Sequence, residues 1–309
     1  SVASRGLGDV YKRQVMQIDS SFFVEAGTRW NKHSVFGSNQ VFSVSASKFL
    51  YPNWKLFANY SQAYKTPSLY QMFSEYGNRS LKPEQAKTWE LGMQLFTSNN
   101  KGYVRALYFQ RDVKDVINFY TNPVTYASNY INQDKQKDHG VEAEALLHLG
   151  KRSVLRANYT YVDGNVTTMK TGKATVYNNL YRRPKSQVSL NLENHLSKAL
   201  FLSAGIVGVG KRSDVWFDNA TFEQKEVGLG SYVLLNMYVS YQVPGRMWHF
   251  YTDLRNISNE PYTEAYGFNT LGFNGSVGMR FTIPQEKRTR PRKNVSLPTN
   301  VGSKKHRRS

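Results

Sequence analysis

Apolar and polar residues alternate with period two over most of the chain. In residues 184–196, Val188, Leu190 and Leu192 alternate with Gln187, Ser189, Asn191 and Glu193. Trp89, Leu91, Met93 and Leu95 stand against Thr88, Glu90, Gly92 and Gln94, and Val141, Ala143, Ala145 and Leu147 against Glu142 and Glu144. Near the end, Trp248, Phe250 and Leu254 alternate with His249, Asp253 and Arg255. There too Gly275, Val277, Met279 and Phe281 alternate with Asn274, Ser276, Arg280 and Thr282. This pattern gives a strand one apolar and one polar face. It predicts twelve strands, at 19–30, 36–49, 53–63, 85–97, 101–120, 129–149, 151–164, 184–196, 198–211, 230–242, 246–257 and 271–283.

The connections narrow the fold class. Short turns fall at 50–53, 98–101, 150–151, 195–197 and 243–246, with the Pro, Gly, Asn and Ser that turns require. Between them lie long connections at 64–84, 165–183, 212–229 and 258–270 and a moderate one at 121–128; only 31–35 is short where a long one is expected. Hairpins with short turns at one end and long loops at the other are the pattern of a bacterial outer-membrane barrel. A soluble β-sandwich also alternates, but it rarely reaches twelve strands with this asymmetry. The expectation is all-β: a transmembrane antiparallel β-barrel, located in the outer membrane and contacting its lipids.

Composition agrees. Mean hydropathy is −0.56, as alternation dictates, and no stretch has the length and apolarity of a membrane helix. Aromatics reach 14%, with 21 Tyr, 17 Phe and 5 Trp, enough to supply girdles at two water interfaces. There is no Cys, which excludes a disulfide framework and a thiolate metal site.

The net charge of +19 gathers partly at the ends. Residues 284–309 hold nine Lys/Arg and one Glu, and residues 1–14 three Lys/Arg and one Asp. Ser1–Gln14 resembles translated sequencing-adapter text, the alternative being a genuine loop of a missing half of the barrel. We set 1–14 aside as non-native and read 15–283 as the barrel. Residues 284–309 read as a disordered or non-native tail, by frame error or read-through, more readily than as a nucleic-acid arm. No nucleic-acid partner is expected. No signal-peptide pattern opens the sequence, so the start of the protein is expected upstream.

No enzyme is expected. No G-x-S-x-G stands on a strand-to-helix turn, and the six His are scattered without metal spacing. No cofactor or metal is expected. By alternation Glu25, Glu90, Glu142, Glu144, Glu193, Asp253, Arg29, Arg255 and Arg280 point inward, where they meet solvent or pair across the lumen. Ligand contacts should come from the long loops: Tyr70, Phe73 and Tyr76 in the first, Tyr177 and Asn178 in the second, Trp216, Phe217, Asp218 and Asn219 in the third. Aromatics with a few polar groups suit a bulky, partly apolar ligand, although each could equally serve the outer girdle.

Tyr64-Lys-Thr66-Pro67-Ser-Leu-Tyr-Gln-Met-Phe73, followed by Asn78-Arg-Ser-Leu81-Lys-Pro83-Glu84, resembles the paired motif of TonB-dependent receptors, written FRAP then NPNL. Tyr108–Ile117, Asn132 with Gly140–Glu144, Asn256–Tyr262 and Phe273–Ile283 resemble later segments of that family. The resemblance spans residues 19–283. It implies strands eleven to twenty-two of a 22-stranded barrel, with the N-terminal plug missing. It also implies energised uptake of a scarce nutrient, through TonB acting on that plug. Within the family the likeness is to cobalamin and siderophore receptors. Haem receptors sharing the motif pair place a His between its halves, and none lies between Tyr64 and Glu84. Cobalamin is the slightly favoured ligand, a ferric siderophore the alternative, and a passive porin-like barrel a further one.

Overall fold

The structure, a computed structural model, describes residues 8–98, 101–122, 125, 127–170, 173–177, 181–218, 220 and 223–283. The wall begins with β1 (Gly8–Gln17), β2 (Phe22–His33), β3 (Gly37–Tyr51) and β4 (Trp54–Lys65), and a short helix α1 (Leu69–Phe73) follows. It continues with β5 (Glu84–Phe96), β6 (Tyr103–Thr121), β7 (Ser128–Leu149) and β8 (Ser153–Lys170), on which β9 (Lys173–Tyr177) folds back. After β10 (Ser186–His195) and β11 (Leu200–Val209) comes a ribbon of β12 (Arg212–Asp218) and β13 (Glu223–Leu229). β14 (Tyr232–Gln242), β15 (Trp248–Arg255) and β16 (Asn274–Phe281) complete the chain of pairings. Thirteen strands thus form one antiparallel wall in sequence order, with β9 beside it and β12–β13 a separate ribbon.

All twelve expected strands are present. Three findings were not expected. β1 precedes them, paired with β2 from Gly8↔Lys32 to Gln17↔Phe23, so the stretch set aside at 1–14 contributes a wall strand. The connections at 165–183 and 212–229 are themselves largely β-structure. Their β-branched and aromatic residues, such as Val166, Thr167, Val176, Val215 and Val227, pair locally instead of running as open loop. With β1 in place, the turn at 18–21 joins the short-turn end. There the Asp19 carboxylate accepts from Ser21 N, Ser21 Oγ and Phe22 N, at 2.6, 2.8 and 2.8 Å.

One face of the wall is an apolar belt. On β5, Trp89, Leu91, Met93 and Leu95 are all exposed. Tyr108, Val141, Leu190, Leu192, Ile206, Leu235, Phe250, Val277 and Met279 continue the belt across the wall. Aromatics mark both edges: Tyr51 stacks on Trp54 at the short-turn end, and Tyr60 meets Trp89 toward the other, with centroids 6.1 and 4.3 Å apart. Such a face is stable only against lipid. On β1 the same face carries Lys12 and Gln14 between Val10 and Met16, so the belt weakens there.

The opposite face is polar and pairs its charges. Arg13 meets Glu25 at 2.5 Å, Arg29 meets Asp9 at 2.6 Å, Arg156 meets Glu193 at 3.0 Å and Arg255 meets Asp253 at 3.1 Å. Asn59 donates to Glu90 at 2.8 Å, and Arg105 lies 3.8 Å from Glu144. These pairs link residues of the same or adjacent strands, which explains how a wet wall carries so many ions without net charge building up.

Candidate functional site

The long-loop end holds two built clusters. The first joins the 66–83 connection to the projecting ends of β6 and β7. Helix α1 starts at a capping box: Ser68 Oγ accepts from Gln71 N at 3.2 Å, and Gln71 Oε1 accepts from Ser68 N at 2.9 Å. Met72, Pro67 and Leu81 are buried beneath it, Leu81 at only 3% exposure. Tyr70, Phe73 and Tyr76 stay exposed. Tyr70 packs edge-on to Tyr130, and Tyr76 edge-on to Phe119, which in turn meets Tyr130. Arg79 lies over the Phe73 ring at 5.1 Å.

Backbone clamps fix this cluster. Tyr130 N donates to Tyr76 O at 3.0 Å, and Asn78 Nδ2 to Tyr130 O at 3.0 Å. Asn132 accepts from Lys82 N at 2.7 Å and donates to Lys82 O at 2.9 Å and Asp115 O at 2.6 Å. Asp115 has φ 55°, which turns its carbonyl out of the ladder and toward Asn132. Glu84 accepts from Ile117 N and meets Lys65, both at 2.8 Å. Of the motif residues, Tyr64 pairs with Gln85 one residue before the end of β4, Pro67 and Leu81 are buried, Thr66 and Pro83 are half-buried, and Glu84 opens β5. The motif pair is therefore scaffold for the aromatic cluster.

The second cluster ties three connections together. Asp214 is fully buried and accepts from Arg182 Nε at 2.7 Å, Val215 N at 2.8 Å and Tyr266 N at 2.8 Å. Burial alone would raise this carboxyl. The Tyr266 N–H, the Arg182 guanidinium and the Val215 N–H outweigh burial and hold it below the usual carboxylate range. Arg212 donates to Gly210 O and Thr263 O and lies 5.0 Å over Tyr232, which packs on Tyr262. Trp216 meets Tyr266 at 5.4 Å, and Asp218 pairs with Lys225 at 2.5 Å.

The structure thus places Tyr70 and Tyr76 in one aromatic cluster, with Phe73 beside them under Arg79, and Trp216 in the other. Asp218 serves its own ribbon. Tyr177 ends β9 and Phe217 lies in β12, but their side chains, like Asn178 and Asn219 as a whole, lie outside the described residues. Sequence reading missed Phe119, Tyr130, Arg182, Asp214, Tyr262 and Tyr266. Phe119 and Tyr130 sit on strands whose length past the belt was the available signal; the others carry no periodicity.

The family model described as TonB dependent receptor-like, beta-barrel, matches residues 8–257. The chain belongs to this TonB-dependent receptor family. That places it in the outer membrane, in a family of transport receptors.

Solved structures share the fold at low identity. The siderophore receptor PirA from Acinetobacter baumannii is 19% identical with TM-score 0.71, over 89% of this chain and 45% of that one. The pyoverdine outer membrane receptor FpvA from Pseudomonas aeruginosa PAO1, bound to pyoverdine, is 16% identical with TM-score 0.67, over 92% and 44%. A ferric enterobactin receptor, PfeA from Pseudomonas aeruginosa, is 18% identical with TM-score 0.69, over 88% and 44%. The chain spans less than half the length of each. These three are siderophore receptors, so cobalamin, the slightly favoured ligand, gains no support from them.

Proposed function

We propose that this receptor segment serves the energised uptake of a ferric siderophore. The observation that carries the reading is the loop end itself, where Tyr70, Phe73 and Tyr76 are exposed, Arg79 lies over the Phe73 ring, and Trp216 packs on Tyr266. Ferric siderophores are bulky, often anionic chelates with aromatic or amide faces. Rings with interleaved guanidinium groups suit them through stacking and cation–π attraction. The siderophore receptors among the structural neighbours support this choice over cobalamin.

The proposal includes the missing parts. The edges of β1 and β16 would pair with about nine further strands to close a barrel of about 22. A plug would fill the lumen against the polar wall and carry the pull of TonB. The ligand contacts would be Tyr70, Phe73, Tyr76 and Trp216, together with Tyr177, Asn178, Phe217 and Asp218 of the other long connections. Residues 284–309 would lie outside the barrel, and the division at residue 15 would not mark a change of fold.

The test is quenching of tryptophan fluorescence in the completed receptor, titrated in parallel with ferric catecholate and hydroxamate siderophores and with cobalamin. Saturable binding of a ferric siderophore that weakens at least tenfold in Tyr70→Ala or Trp216→Ala is expected. Tight cobalamin binding without siderophore binding would refute the assignment.

A further inference from the structure

Directly beyond the Tyr60–Trp89 pair, the lipid-side face of the wall turns basic. The register sets two rows of neighbours there. Gln62, Lys87, Asp112, Lys137 and Asn165 form one row, and Tyr64, Gln85, Lys114, Lys135 and Thr167 the next. These residues share the parity of Trp89, Tyr108 and Val141, so they lie on the belt side and not in the lumen. Lys87, Lys114 and Lys137 are exposed, and Lys135 is half-buried.

The arrangement is unbalanced. Lys114 and Lys135 stand directly opposite each other, and like charges so placed repel. Asp112 is the single carboxylate in the two rows, and its shielded Oδ1 has no hydrogen-bond partner among the described residues. The nearby Asp163 is already taken by Lys185 at 2.8 Å. None of the four lysines forms an ion pair among the described residues. On the polar face, by contrast, Arg13, Arg29, Arg105 and Arg156 each meet an acid of the adjacent strand. Four cations gathered around a single carboxylate, beginning one row beyond an aromatic girdle, sit at the level of lipid headgroups.

We propose that Lys87, Lys114, Lys135 and Lys137 hold the headgroup of a lipid carrying more than one phosphate. Its acyl chains lie along Leu91, Tyr108 and Val141, which are 65%, 48% and 40% exposed, past the intervening row of Trp89, Gln110 and His139. Charge complementarity selects the headgroup, and the apolar belt beyond that row selects a lipid over a soluble anion. The site faces the bilayer, so it is independent of the siderophore reading and stands even if another nutrient is carried.

The completed receptor in detergent is titrated with a bisphosphorylated diglucosamine lipid, with the same lipid stripped of phosphate, and with inorganic phosphate. Each Lys→Gln change at these four positions should weaken binding of the phosphorylated lipid roughly fivefold. Asp112→Asn should tighten it by a similar factor, which gives a reading in a variant that keeps every lysine. Lys151→Gln with Lys198→Gln, at the short-turn end, should leave binding unchanged. Heat-dependent gel migration verifies folding of each variant. Equal binding by the wild type, the lysine variants and Asp112→Asn overturns the proposal. Equal binding of the phosphate-free lipid overturns it too, as does inorganic phosphate binding as tightly as the lipid.

Discussion

At the residue scale, single atoms decide whether the strands close on one another. A Cβ built on Gly140 would lie 2.1 Å from Tyr161 O and 2.7 Å from the Phe109 ring, so the site has no room for a methyl group. Gly140→Ala should therefore cost about 1–3 kcal/mol through forced displacement of neighbouring strands. It should lower the temperature at which the receptor loses its folded gel mobility. Gly228→Ala, where a Cβ would meet nothing within 4 Å, should not. Asp214 is the corresponding point in the loops. Its carboxyl is held below the ordinary range, so its contribution is complete above that range and is lost only as pH falls through the lowered value. The lock should be insensitive to pH between about 5 and 8. Asp214→Asn removes the charge at any pH. It should speed hydrogen exchange of the Tyr266 amide by about tenfold or more, since a hydrogen bond to a charged group is worth roughly 1.5–3 kcal/mol. Unchanged exchange at Tyr266 would show that the three connections are held by their ring contacts alone.

At the element scale, the wall was legible in the sequence and the loop architecture was not. Strands facing lipid on one side and water on the other must alternate, and β5 does so at every position from Thr88 to Leu95. That rule fails past the belt, where both faces are wet. The end of β8, β9 and the β12–β13 ribbon therefore read as loop, although the strands expected at 101–120 and 129–149 do reach the projecting ends of β6 and β7. β1 was missed for a different reason: Lys12 and Gln14 occupy its belt face, so alternation offered no strand there. The motif from Tyr64 to Glu84 was visible, but not its use. Asn132, 50 residues from Lys82, is the other half of the clamp, and only the fold brings them together. Asn132→Asp keeps the acceptor for Lys82 N but loses both Nδ2 donations, to Lys82 O and Asp115 O. Each is worth about 0.5–1.5 kcal/mol. Limited proteolysis should then cut within 66–83 markedly faster, while the thermal stability of the wall stays near that of the parent. Equal cutting rates would mean that Leu81 burial and the Tyr76–Phe119–Tyr130 rings hold the connection without Asn132.

At the scale of the whole molecule, the wall has two unsolved problems of physical chemistry. Among the described residues, β1 pairs only with β2 and β16 only with β15, so each leaves one edge of backbone donors and acceptors open. In hydrocarbon an unpaired peptide group costs several kcal/mol, which is why membrane sheets close. The apolar belt makes the situation worse in water, where open edges and a broad apolar face favour association with other copies. The polar face does not offset this, because its ion pairs are largely satisfied within the wall and are exposed to solvent, where each contributes little. The chain by itself should therefore give polydisperse, heat-labile species in detergent. Supplying the strands that complete the barrel, as a second polypeptide or in one chain, should convert it to a monodisperse form whose gel mobility changes only on boiling. Size-exclusion chromatography with unheated and heated gel samples reads both states. A monodisperse, heat-resistant form of the chain alone would mean that β1 and β16 find each other, and that thirteen strands close a smaller barrel with Lys12 and Gln14 at its seam.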